Sequence, residues 1–214
     1  MVNVERIQEA MYDHFEIHGD YEVDSQTGIV NVQGSVEMKG ETHNHMLPVK
    51  FGHVTRNFDC SYMDLISLKG APDHVGGNFR CGRNRLTSLQ HAPQHVSGVF
   101  NCTSNLLTSF VHITPNLTNK IYAEQNPFTD LTHVPIHAEM VVITYSPHTP
   151  LLRLISCEGG IKINHYGDLS GNVKLEQVTQ IEAILRKHAH TGKAGALKAA
   201  AELIRAGFKE NARW

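Results

Sequence analysis

The sequence predicts a β-rich repeat solenoid, built of 21-residue coils and closed at each end by a cap. Three observations predict it. Cys60, Cys81 and Cys102 recur at a spacing of 21 residues, and each sits in the same phrase: Phe58-Asp-Cys60, Phe79-Arg-Cys81, Phe100-Asn-Cys102. Each phrase is followed by a second one: Leu65-Ile-Ser-Leu68, Leu86-Thr-Ser-Leu89, Leu107-Thr-Ser-Phe110. A worn fourth copy follows at Ile121-Tyr-Ala123 and Phe128-Thr-Asp-Leu131. A fixed period of this length means stacked supersecondary units, none of which can bury its own apolar face.

Within a coil, Phe79 and Cys81 lie two apart and fit a short strand, since alternate strand residues share a face. The residue between them then faces outward. Leu86 and Leu89 turn back beneath the strand. Asn84, Asn105 and Asn126 occupy the corner. There a side-chain amide can satisfy backbone groups that no ladder reaches. The resulting pattern F-x-C-x-x-N-x-L-x-x-L is leucine-rich-repeat-like.

The first elements are a cap. Val4, Ile7, Met11 and Phe15 fall on one helical face, predicting a helix over 4–15. Tyr21–Val23 and Ile29–Val32 flank Asp24-Ser-Gln-Thr-Gly28 as a hairpin. Val36-Glu-Met38 is predicted as the strand of a degenerate first coil, and Leu47, Phe51 and Val54 as its return. After Ala138 the pattern decays. Val141–Thr144 continues the strand column, Ser146-Pro-His-Thr-Pro150 is a loop because prolines cannot join a ladder, and Leu151–Leu154 fills the next turn. Gly160–Ile163 is the last strand, with Val142 and Ile121 as its column neighbours. From Leu175 the apolar period becomes helical, up to about His188. A second helix spans 194–206, with Leu197, Ala201 and Ile204 on one face and Gly207 as its stop. The predicted boundaries are 1–33 for the N-terminal cap, 34–166 for the solenoid and 167–214 for the C-terminal cap, together one compact domain.

Leu86-Thr-Ser-Leu89, Gly70-Ala-Pro72 and Val75-Gly-Gly-Asn-Phe-Arg-Cys81 resemble the LTSL-x-GAP-x-x-VGG-x-F-x-C repeats of leucine-rich-repeat-like proteins encoded by tailed bacteriophages. The resemblance covers about Gly34 to Leu131, and the last residues are similar to the tails of the same proteins. It implies a solenoid fold, a viral origin and a binding role without catalysis. It carries over no catalytic residue.

Composition sets bounds. The 214 residues carry 19 Lys+Arg against 21 Asp+Glu, a formal charge of −2, so no basic excess exists to hold a phosphate backbone. No signal peptide and no membrane span is expected, which predicts a cytoplasmic protein, in the host cell if viral. The periodic cysteines read as a reduced core column, without disulfides or a CxxC metal spacing. No P-loop, G-x-S-x-G or G-x-G-x-x-G motif is present.

Three groups carry the functional expectations. The outward strand positions Asp59, Arg80, Asn101 and Tyr122 form one column, and Ser61, Gly82, Thr103 and Glu124 the next. With Arg83 and Arg85 at the corner, they are the candidate surface for a host or phage protein, since Arg and Tyr are frequent interface anchors. Phe208 and Trp214 are a second candidate contact. Histidines also keep the period: His53, His74 and His95, with His137 rejoining after Asn116, and His91, His112 and His133. Being neutral imidazoles at close spacing they are weak metal candidates (His74, His95, His91, His112 and His133 in particular), placed on a wet convex loop. No cofactor is expected. Alternatives are a metal-dependent or small-molecule enzyme built on these histidines, with His43-Asn-His45 as a possible part of a hydrolytic site, and a nucleic-acid contact through Arg80, Arg83 and Arg85.

Overall fold

The structure, a computed structural model, describes residues 2–40, 44–113, 117, 119–157, 159–164, 175–189 and 191–214. His43, Asn116 and the boundary at 166/167 lie outside the described residues. The fold is a parallel β-solenoid with a helix at its N-terminal end and helices at its C-terminal end.

Helix α1 (Val4–His14) is capped by Asn3, whose Oδ1 accepts the Arg6 N–H at 3.0 Å. Strands β1 (Phe15–Val23) and β2 (Ile29–Met38) form the antiparallel hairpin, paired from Phe15↔Met38 to Val23↔Val30. Asp24 holds its turn by accepting the N–H groups of Gln26 and Thr27. Two expectations are corrected here. Phe15 leaves the helix and begins the strand, because its buried ring meets Phe51 edge-on at 5.0 Å. The predicted hairpin strand and first-coil strand are one strand, β2, so the chain is continuous across 33/34.

β2 is the root of two parallel ladders. Its first half pairs β3 (Lys50–Val54), which continues through β5 (His74–Val75) to β7 (His95–Val96). Its second half pairs β4 (Phe58–Asp59), then β6 (Phe79–Arg80), β8 (Phe100–Asn101), β9 (Lys120–Tyr122), β10 (Met140–Thr144) and β11 (Gly160–Asn164). Each middle coil thus contributes two short strands separated by a corner. The corner glycines are there for close approach. A Cβ on Gly77 would lie 2.5 Å from Asn57 Oδ1 and 2.9 Å from the backbone of Arg56.

The core is one column system. Phe58, Phe79 and Phe100 are fully buried, with ring centroids 5.9 and 5.3 Å apart, beside buried Cys60, Cys81 and Cys102. Leu65, Leu86 and Leu107 and the Leu68–Leu89–Phe110 column close it from beneath. Burial pushes all four thiols up, those of Cys102 and Cys157 to about 12, so they stay protonated and act as small hydrophobes. The corner asparagines bridge coils as expected. Asn105 Nδ2 donates to Cys81 O and Cys102 O at 3.0 and 3.1 Å, while its Oδ1 accepts the Leu86 N–H at 3.0 Å. Asn84 and Asn126 repeat this.

At the far end Val141, not Val142, is the neighbour of both Ile161 and Ile121. Leu151–Ser156 is a 3₁₀ turn. Helices α2 (Leu175–Lys187) and α3 (Gly192–Arg205) close this end, and Glu182 of α2 accepts the Ile163 N–H of the last strand. The expected inner face of α3 is corrected: Leu197, Ala201 and Ile204 are exposed, while Gly195, Ala196, Ala199 and Leu203 are buried. Small residues let α3 lie close to its neighbours, and that face wins.

Candidate functional site

Strand register assembles the outward strip. Glu37, Asp59, Arg80, Asn101 and Tyr122 are consecutive partners along one ladder. The column continues to Val142 and Lys162. Val142 is buried at 1% exposure although it is on this outward column, so it adds no accessible surface between Tyr122 and Lys162.

Members of the strip differ in what they do. Asp59 and Asn101 each turn back to their own backbone: Asp59 Oδ1 accepts the Ser61 N–H at 2.9 Å, and Asn101 Oδ1 accepts the Thr103 N–H at 3.0 Å and hydroxyl at 2.8 Å. They fold the strand exit. Arg80 lies 3.9 Å from Asp59, and Arg85 is paired with Asp64 at 2.6 Å. The guanidinium of Arg83 instead sits over the ring of Tyr62, 5.1 Å from its centroid. Tyr62 is 67% exposed. Both residues occupy the left-handed corner, with φ of 63° and 53°, which is what turns their side chains alongside the strip. A groove of about 370 Å³ runs between Glu37, Tyr62, Arg80 and Arg83, with Gly82 and Thr103 along it. Sequence reasoning missed Tyr62 and Glu37. Tyr62 stands in a coil where Met63 replaces the corner Asn, so the repeat signal fades where the aromatic appears.

Glu124 is the electrostatic anomaly of the second column. One carboxylate oxygen accepts from Asn164 Nδ2 at 2.9 Å; the other is enclosed with no hydrogen-bond partner. Burial raises its pKa above the ordinary carboxylate value, against the opposing pull of backbone and Asn164 hydrogen bonds and of Lys162.

The other candidates are placed elsewhere. Phe208 is buried among the C-terminal packing and offers no surface, which corrects its expected role. Trp214 is 55% exposed, under the guanidinium of Arg153 at 5.2 Å. His53, His74 and His95 lie on strands of the first ladder, not on a convex loop. His91 and His112 are exposed at left-handed positions, φ 68° and 69°, aligned with Gly70 at φ 101°. His133 is exposed near the groove of about 530 Å³ beside His137 and Arg153. Among the described residues, no group of three or more His, Cys, Asp or Glu is placed to hold a metal ion. No described helix is long and apolar enough to cross a membrane. Comparisons with protein-family models, with curated proteins and with solved structures find no match.

Proposed function

We propose that the chain is a non-enzymatic binding protein that masks a surface of a host or phage protein with the polar strip of its solenoid. The observation that carries this reading is the exposed Tyr62–Arg83 pair standing beside Arg80 on a rigid parallel ladder, with Tyr122 further along the same strip. Such a surface presents aromatic and guanidinium anchors at little ordering cost, because the backbone beneath them is fixed. The resemblance to phage repeat proteins supports a setting in the cytoplasm of an infected bacterium, as host takeover or neutralisation of a defence system. A phosphate contact through Arg80, Arg83 and Arg85 is the weaker reading, because Arg80 and Arg85 each face a carboxylate.

The test is capture from host lysate with the wild-type chain and with Arg80→Glu combined with Tyr122→Ala, both checked for native circular dichroism. The expected result is a specific partner retained by the wild type and lost by the variant. Equal capture by both, and by a further variant with Tyr62→Ala and Arg83→Glu, moves the contact off the strip.

A further inference from the structure

The proposed binding strip leaves the histidine column on the other ladder unused. His53, His74 and His95 are register partners on β3, β5 and β7. Their rings pack along the solenoid axis, with centroids 4.6 Å apart between His53 and His74 and 5.0 Å apart between His74 and His95. The second pair is stacked, 23° from parallel. Behind them Val54, Val75 and Val96 of the same strands are buried in the core.

We propose that this column is an acid-sensitive seam: neutral imidazoles pack the coils together, and protonation loosens this ladder while the phenylalanine ladder holds. Three observations carry it. First, neighbouring rings lie only 4.6 and 5.0 Å apart, centroid to centroid, so adjacent imidazolium ions repel, although the outer two rings, His53 and His95, are exposed. Second, the strands that they sit on are short. β5 and β7 have two residues each, as do β4, β6 and β8 on the other ladder, so the imidazoles are what set this ladder apart; its coil junctions include Asp73 N–H to Gly52 O, Gly76 N–H to Val54 O, Gln94 N–H to Asp73 O and Ser97 N–H to Val75 O, at 2.8–3.0 Å. Third, the other charged groups on these strands and their flanks are Lys50, Arg56 and Asp73. β2, which pairs β3, contributes the neutral Asn31, whose Oδ1 accepts the His53 N–H. Burial lowers the pKa of His74 below its ordinary value of 6.5, and the charges of His53 and His95 push it the same way.

The direction follows from linkage. Below pH 6.5 the unfolded chain takes up a proton at position 74 more readily than the folded chain. Stability is therefore full above that pH and is lost as pH falls from there toward the folded value.

The experiment is an NMR titration of the histidine rings of the full chain from pH 8 to pH 5, with amide exchange at both ends. His74 is expected to titrate below 6.5 and to move up in the His53→Gln/His95→Gln variant. In acid the protection of the Gly76 and Ser97 amides is expected to fall several-fold more than that of Cys60 and Cys81. The Tm loss between pH 7.5 and 5.5 is expected to shrink in His74→Gln. His74 titrating at or above 6.5 in the native chain, a midpoint unmoved in the double variant, a Tm loss unchanged in His74→Gln, or an equal loss of protection on both ladders would each overturn the seam. None of these readouts depends on a binding partner, so the seam and the proposed masking function succeed or fail separately.

Discussion

Glu124 is kept ionisable at a position where a neutral residue would sit more comfortably. Its folded pKa is raised by burial, so the folded chain holds that proton more tightly than the unfolded chain. The sign is the reverse of that at His74: the native state is favoured below the unfolded pKa of 4.5, and this advantage is lost as pH rises through the folded value. At pH 7 the charge therefore costs stability. Glu124→Gln keeps the shape and can still accept from Asn164 while removing the charge. It is expected to raise Tm at pH 7 by about 1–3 °C, with the gain vanishing at pH 4; scanning calorimetry at the two pH values checks it. A loss of Tm at pH 7 would mean that the enclosed oxygen is better served than its surroundings indicate.

The elements that define a coil are its corners, and the two corners differ in what holds them. At the second, Asn105 is buried and joins three backbone groups on two coils. At the first, Asn78 Oδ1 accepts the Val99 N–H at 2.8 Å, while Asn57 accepts the Asn78 N–H and Ser35 the Asn57 N–H. Truncating Asn105 strands buried donors and acceptors together; truncating Asn78 frees one partly buried N–H. Asn105→Ala is expected to cost about 2–4 kcal/mol and Asn78→Ala about 1 kcal/mol in urea unfolding, and equal costs would refute this division. The same contrast explains what was legible. The Asn84–Asn105–Asn126 column repeats one letter at one spacing and stands out. The Ser35–Asn57–Asn78 column changes letter and ends at Val99, so no periodic signal marked it. In α3, periodicity correctly found a helix, but an Ala-rich helix carries two apolar stripes. Leu197–Ala201–Ile204 is the more hydrophobic stripe, and Gly195–Ala196–Ala199 is the narrower one. Close packing selected the narrower stripe, a choice that depends on the shape of the neighbouring surface. For the site, register made the Asp59–Tyr122 column readable, whereas Tyr62 depends on a left-handed corner that its own coil does not spell.

At the scale of the whole molecule, the question is whether the caps belong to the same cooperative body as the coils. The core cluster runs from Met11 and Phe15 through the phenylalanine ladder to Leu185, Leu203 and Phe208 without a break. The chain's last turn is tied into it by Asn211, which is 2% exposed. Asn211 Oδ1 accepts from the Tyr145 hydroxyl at 3.2 Å, and its Nδ2 donates to Ser146 O and Thr149 O at 3.0 and 2.9 Å. These contacts cross more than 60 residues of sequence, from the tail to the proline-bounded loop that interrupts the repeat. If stability were a sum of nearly independent coils, releasing the tail would fray one end and leave the middle alone. A continuous core predicts the opposite: the loss is shared by the whole chain. Asn211→Ala is expected to remove about 2–3 kcal/mol and, for a chain of this length, to lower a single thermal transition by about 4–10 °C. Circular dichroism of the helices near 222 nm and the exchange of the buried Phe79 amide should move together. A second, lower transition confined to the helices, with Phe79 protection unchanged, would show that the C-terminal cap is a separate unit.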